Sequence, residues 1–373
     1  MRRIPIMPAA LTLLATGLVG VWAWKATTRD EPRSAAGSTA PAKTGSSSPS
    51  ADAISPVMDF LSGKPVAADA RREFEELRRS LASMPKDEAV ALIRSYLARG
   101  EDRTTGLSFE IAGDGSLKEW PTLRTFLIDA LLALDPSAAA ALSREILAKP
   151  TSADEWALAL RNVARADPDT GFLRSKTEEL IANPAWQANP SIGYLNAFDV
   201  LVHIGSTEST PLLSSLIQRK DRKDLAHAGF LTLDRLVQRQ PVDELTRLAA
   251  DTALQESRPE MVAQQFARAD LRDSAQQSLV KAWLLDPARK PAELRSFAGV
   301  YPNNNHFVSN NLLTREATQS GDDLAAHDRE ALAVIAAWQQ DPAFSPVKEH
   351  LAAMASRLNG FVGSRDGNSP PPE

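Results

Sequence analysis

Residues 205–240 read GSTESTPLLSSLIQRKDRKDLAHAGFLTLDRLVQRQ, and this stretch decides the fold. A capped first helix carries Pro211, Leu212, Leu213 and Leu216. A charged turn follows. A second helix then places Phe230, Leu233, Leu236 and Val237 on one face, at the i, i+3, i+4 spacing of an amphipathic helix. Gln240-Pro241 closes the unit, because the residue before proline is driven out of helical geometry.

The same grammar extends in both directions. Leu123, Phe126, Leu127, Ala130, Leu131 and Leu134 form one face, and Ile128 and Leu132 add apolar surface on the other side. A helix apolar nearly all round is expected between neighbours. Further helices are marked by Phe74, Leu77 and Leu81, by Ala89, Leu92, Ile93, Tyr96 and Leu97, and by Tyr194, Leu195, Phe198, Leu201 and Val202. Breakers recur at Asp135-Pro136, Lys149-Pro150, Asp167-Pro168, Asn183-Pro184, Asn189-Pro190, Asp286-Pro287 and Asp341-Pro342. Strand-like alternation is confined to Leu107–Ile111, followed by the turn residues Ala112-Gly113-Asp114-Gly115, which predict a small hairpin or irregular loop.

The intervals from Asp135 to Asp167, to Gly205 and to Gln240 are 32, 38 and 35 residues. A loose period in the thirties is that of stacked helix pairs. On these residues the chain resembles the HEAT and armadillo-like superfamily of α-solenoids, over roughly residues 119–285. The tetratricopeptide pattern is not found. The resemblance implies an all-α, right-handed helix-pair solenoid and, by analogy, a scaffold that binds protein. Residues 56–362 are expected to form this helical repeat-like domain, with 56–120 and 287–362 capping its two ends.

The flanks read differently. Ile4–Trp24 is an uncharged run of 21 residues behind Arg2 and Arg3. As a helix it would extend about 31 Å, close to the ~30 Å of a hydrocarbon core. Residues 1–25 are therefore expected to be a signal anchor, with the N-terminus cytoplasmic and the body exported. Pro5, Pro8 and the sequence Val21-Trp22-Ala23 keep a cleaved signal peptide open, with cleavage near Ala23 and a secreted or periplasmic product. Residues 26–55 are dominated by Ser, Ala, Thr, Pro and Gly and are expected to form a disordered linker. Residues 363–373 are expected to be a disordered tail.

Composition excludes some chemistry. There is no cysteine, so thiolate catalysis, disulfides and Cys-based zinc sites are out. The net charge of −5 argues against nucleic acid as a partner. Arg219, Lys220, Arg222 and Lys223 form a basic knot, but Asp221 and Asp224 interrupt it and no aromatic is interleaved for base stacking. It reads as a solvated turn. Asp323, His327 and Glu330 share a helical face at i, i+4 and i+7, a spacing that could offer metal ligands. With no second cluster to close a site, they read as an acidic first turn and an exposed histidine. No catalytic residue, cofactor site or metal site is assigned.

The most unusual polar cluster is Asn303, Asn304, Asn305 and His306, with Asn310 and Asn311 after it. These side chains could hydrogen-bond a ligand or a partner's backbone, or simply shape a turn in which Asn tolerates left-handed geometry. They are the expected contact residues for an unknown protein partner. The functional expectation is a membrane-tethered or exported scaffold in the cell envelope. The alternative is an all-α toroid enzyme acting on polysaccharide, which would need carboxylates converging on a cavity.

Overall fold

The computed structural model describes residues 53–305, 309–315 and 320–365. The N-terminal apolar run, nearly all of the linker, His306 and residues 366–373 lie outside the described residues. The described chain is all-α apart from one short hairpin. It opens with α1 (Ser55–Ser62), α2 (Ala67–Ser83) and α3 (Lys86–Ala98), then the strands β1 (Glu110–Ile111) and β2 (Leu117–Glu119). Next come α4 (Leu123–Leu134), α5 (Pro136–Ile146), α6 (Ala153–Ala166) and α7 (Thr170–Ala182). The middle is cut finer: α8 (Pro184–Ala188), α9 (Ile192–Ala197), α10 (Asp199–Ile204), α11 (Thr210–Ile217), α12 (Lys223–Arg239) and α13 (Pro241–Ala250). The last part holds α14 (Thr252–Ser257), α15 (Pro259–Phe266), α16 (Ser274–Leu285), α17 (Pro291–Val300), α18 (Gly321–Gln340) and α19 (Lys348–Arg365). No helix among the described residues is long and apolar enough to cross a membrane.

The Pro breakers act as starts as much as stops. Pro136, Pro184 and Pro241 occupy the first turns of α5, α8 and α13, where their missing N–H is no loss. Asp135 accepts the Ala138 N–H and Asn183 accepts those of Ala185 and Trp186, so each of these breaker pairs also caps the next helix. Thr122 closes a capping box with Thr125 at the start of α4.

Packing runs between helices close in sequence: α4 with α5 and α6, α6 with α7 and α9, α11 with α12, α15 with α17, and α18 with α19. As expected of a helix apolar on both sides, α4 is buried from Leu123 through Leu131. Aromatic contacts weld the two ends to the middle. Phe74 of α2 stacks on Phe126 of α4, with Trp120 edge-on to both. Phe266, Trp283, Phe297 and Tyr301 form a continuous ring series through α15, α16 and α17.

Three boundaries differ from the sequence reading. The helix expected through Tyr194–Val202 is two, because the ladder tightens where Leu201 N–H takes the carbonyl of Phe198, three residues back. The folded part begins earlier than residue 56, since Ile54 is buried. The last helix continues through Gly363 to Arg365, beyond the expected limit at residue 362.

The hairpin forms where predicted, with Ile111 opposite Leu117. Its turn is set by Gly115, at φ +83°. A Cβ there would meet the Leu312 carbonyl oxygen and lie 2.5 Å from Arg165 Nη2. Gly115→Ala is therefore expected to cost at least about 1–2 kcal/mol for the left-handed backbone alone, and to lift residues 309–315 off the hairpin. Limited proteolysis should then cut that segment faster than in the parent chain.

Candidate polar cleft

A row of polar side chains crosses the apolar stack on one side of α4, α6, α10, α12 and α15. Asp129 accepts from Arg161 Nη1 at 2.6 Å, and the neighbouring Asn162 Nδ2 reaches the Ile128 carbonyl at 3.1 Å. Asp199 pairs with Arg235 at 3.0 Å. Asp234 accepts from Gln265 Nε2 at 3.0 Å and Arg268 Nε at 2.7 Å. The carboxylates and the guanidinium of Arg161 are buried, so each depends on its partner. Asp129, Arg161, Asp199, Asp234 and Gln265 follow one another at 31 to 38 residues, the same interval as the helix pairs. Apolar spacing passes over these positions; the signal that marks them is a polar or charged residue recurring on apolar helices at the helix-pair interval.

The segment after α17 lies along this row. Asn303 N–H donates to the Ala267 carbonyl, Asn303 Nδ2 donates to the Gln264 carbonyl, and the Asn303 carbonyl accepts from Arg268 Nη1. Further on, Asp199 Oδ2 accepts the N–H groups of Leu313 and Thr314 at 2.7 and 3.0 Å. Arg165 Nη2 donates to the carbonyls of Asp114 and Leu312, at 2.6 and 3.2 Å. Leu312 is fully buried and anchors the segment.

Between this segment and the α12–α15 edge is a cleft of about 410 Å³. That is within the ~300–1,000 Å³ usual for ligand sites. Arg235, Arg239, Arg268 and Arg315 line it, with Gln276, Asn303 and Asn304 among the other wall residues. Asp270 is the one carboxylate on the wall among the described residues, and it is held by Arg272 through Nε and Nη2. His203 borders the same neighbourhood. Burial lowers its pKa first, and the cations of Arg239 and Arg165 lower it further against the opposing Asp199. Burial also lowers the Arg165 pKa, helped by the neighbouring guanidiniums of Arg161 and Arg315.

The five expected contact residues that are described do not converge. Asn303 and Asn304 stand in the cleft wall. Asn305 is exposed outside it, and His306 is outside the described residues. Asn310 Nδ2 instead ties the segment to the hairpin at the Ile111 carbonyl, and Asn311 turns the chain locally by bonding Ser309. The Asp323, His327, Glu330 spacing does not form a metal site: no group of three metal-ligating side chains occurs among the described residues. His327 is not exposed as expected but buried, with Nδ1 3.0 Å from Asp328 and Nε2 3.8 Å from Asp270. Asp323 serves the helix start, accepting from Ser320 Oγ. The basic knot is a turn in which Arg219 clasps Asp221 and Arg222 clasps Asp224, and Arg222 also donates to the Gln187 carbonyl.

Compared with protein-family models, curated proteins and solved structures, the chain matches none.

Proposed function

We propose that this chain is an exported helix-pair solenoid, tethered to the membrane by its N-terminal segment, that holds a protein partner in the cleft beside residues 303–304. The carrying observation is the lining of that cleft among the described residues: guanidiniums and side-chain amides, with the one carboxylate, Asp270, already clasped by Arg272. Such a wall offers directional hydrogen bonds and charge for recognition. Among the described residues it offers no free pair of carboxylates of the kind a glycosidase uses to protonate a leaving group and activate water or the sugar. That weighs against the polysaccharide-enzyme reading. The solenoid part of the proposal is supported by the neighbour-to-neighbour helix packing and by the recurrence of the buried polar row.

A photo-crosslinking residue at Asn304, in the cleft, can be compared with one at Glu256, exposed on α14. In cells the Asn304 probe is expected to trap a discrete protein adduct that the Glu256 probe does not. No adduct from Asn304, or the same adducts from both positions, sinks the reading. The tether is tested separately by removing residues 1–52, which spares the buried Ile54. The truncated chain is expected to leave the membrane fraction.

A further inference from the structure

We infer that the partner enters the cleft as an extended acidic peptide segment whose carboxylates seat between Arg239 and Arg315. This rests on the scaffold reading and adds the chemistry of what is bound. The chain as a whole is acidic, at −5, yet among the described residues this wall concentrates four guanidiniums against one carboxylate. Two of the four are spent internally, Arg235 on Asp199 and Arg268 on Asp234. Arg239 and Arg315 are exposed and have no ion pair among the described residues. Among the described residues, Arg315 Nη1 bonds to the backbone carbonyls of Asn311 and Thr314. Arg165 stands beside them, also without a carboxylate partner among the described residues and held by two carbonyls. Like-charge crowding of this kind is relieved by an incoming anion, and the fork of a guanidinium matches a carboxylate bidentately.

The rest of the wall argues for a peptide rather than a free inorganic anion. Asn304 is an exposed amide, and Gln276 commits its Oε1 to the Asp270 N–H while its NH₂ remains a donor. Asn303 Oδ1 is buried at this wall with no hydrogen-bond partner. Peptide N–H groups are the donors such an acceptor lacks, and a fully ionised sulfate brings none. Among the described residues no aromatic side chain lines the cleft, so none of them offers a nucleic-acid base a stacking platform.

The test titrates the full chain in detergent, with its five histidines ¹³C-labelled, against three probes at equal ionic strength. The probes are a blocked nonapeptide alternating Glu and Ser, its Gln/Ser counterpart, and inorganic phosphate. The Glu peptide is expected to bind at least tenfold more tightly than either other probe. The double variant Arg239→Gln/Arg315→Gln, altered only at exposed side chains, is expected to lose at least tenfold of that affinity. Bound peptide should also raise the His203 pKa, because it neutralises the Arg239 and Arg165 charges that help depress it. Equal binding of peptide by parent and double variant overturns the inference, as does phosphate binding as tightly as the peptide. The two readings fail separately. If the Asn304 adduct persists unchanged in the double variant, the acidic segment is refuted and the scaffold stands. If the parent chain gives no Asn304 adduct, the scaffold falls, while the peptide titration still decides the site's chemistry.

Discussion

Asp129→Ala should destabilise the fold by about 3–5 kcal/mol, the cost of stranding a buried cation. Asp129 Oδ1 accepts from Arg161 at 2.6 Å, and its Oδ2 accepts from Trp120 Nε1 at 2.9 Å and the Leu117 N–H at 3.3 Å. The Arg161 side chain is fully inaccessible. Without the carboxylate, that guanidinium keeps only neutral acceptors, the Gly115 carbonyl and Asn162 Oδ1. The hairpin loses its anchor at the same time, since both Leu117 and Gly115 are held through this pair. Arg161→Met alone should cost less, because it leaves a carboxylate that can protonate and still accept from Trp120. The double variant Asp129→Leu/Arg161→Met should recover the part of the loss due to the stranded guanidinium, while Trp120 Nε1 and the Leu117 N–H remain without their acceptor. Urea unfolding of the parent, Asp129→Leu, Arg161→Met and the double variant measures the coupling as a double-mutant cycle. Simple additivity of the two single losses would mean that the ion pair does not organise this layer.

Much of the architecture is legible in the sequence because apolar spacing and proline position are local signals. The Leu123–Leu134 helix, the hairpin after Leu107–Ile111 and the Pro-initiated helices follow from residues within a few places of one another. What the sequence hides is non-local. Nothing near Leu312 announces that it packs under Arg165, or that Asp199 will cap the N–H groups of residues 313 and 314, more than a hundred positions away. The asparagine cluster reads as one unit because its members are close along the chain. In a non-helical segment such neighbours share no face, so Asn303 reaches α15 while Asn310 reaches the hairpin. The cleft itself draws on α12, the turn after α15, α16 and the segment after α17, a combination visible only once those helices stack. His327 departs from expectation for a related reason: an acidic first turn suggests exposure, but Asp328 and Tyr301 belong to the buried side of the same helix packing.

The second large effect is a pH dependence at Glu244. This residue is fully buried in the first turns of α13, and both its oxygens lie 2.8–2.9 Å from Thr210 Oγ1. Thr210 Oγ1 also lies 2.5 Å from the Thr207 carbonyl. A hydroxyl has one proton. If it goes to the carbonyl, which can only accept, then the contact with Glu244 needs a proton from the carboxyl. The geometry thus favours the neutral acid. Burial pushes the pKa of Glu244 up from 4.5 to about 7, aided by Asp243 and opposed by the Thr210 contact and Arg247. Below pH 4.5 the acid is protonated in both folded and unfolded chains and carries no ionisation cost. Between 4.5 and 7 the unfolded chain releases the proton and the folded one keeps it, so stability falls as pH rises. Above pH 7 the loss levels off at about 3 kcal/mol, since each tenfold change in proton affinity is worth roughly 1.4 kcal/mol. Glu244→Gln keeps the shape and a donor for Thr210 but cannot ionise. It should therefore be more stable than the parent by about 3 kcal/mol at pH 8 and nearly equal to it at pH 4.5. Urea unfolding of both chains at the two pH values isolates this residue, because every other titrating group is common to parent and variant. An offset of the same size at both pH values would show that Glu244 enters the fold already charged, and that Thr210 gives its proton to the carboxylate instead of to Thr207.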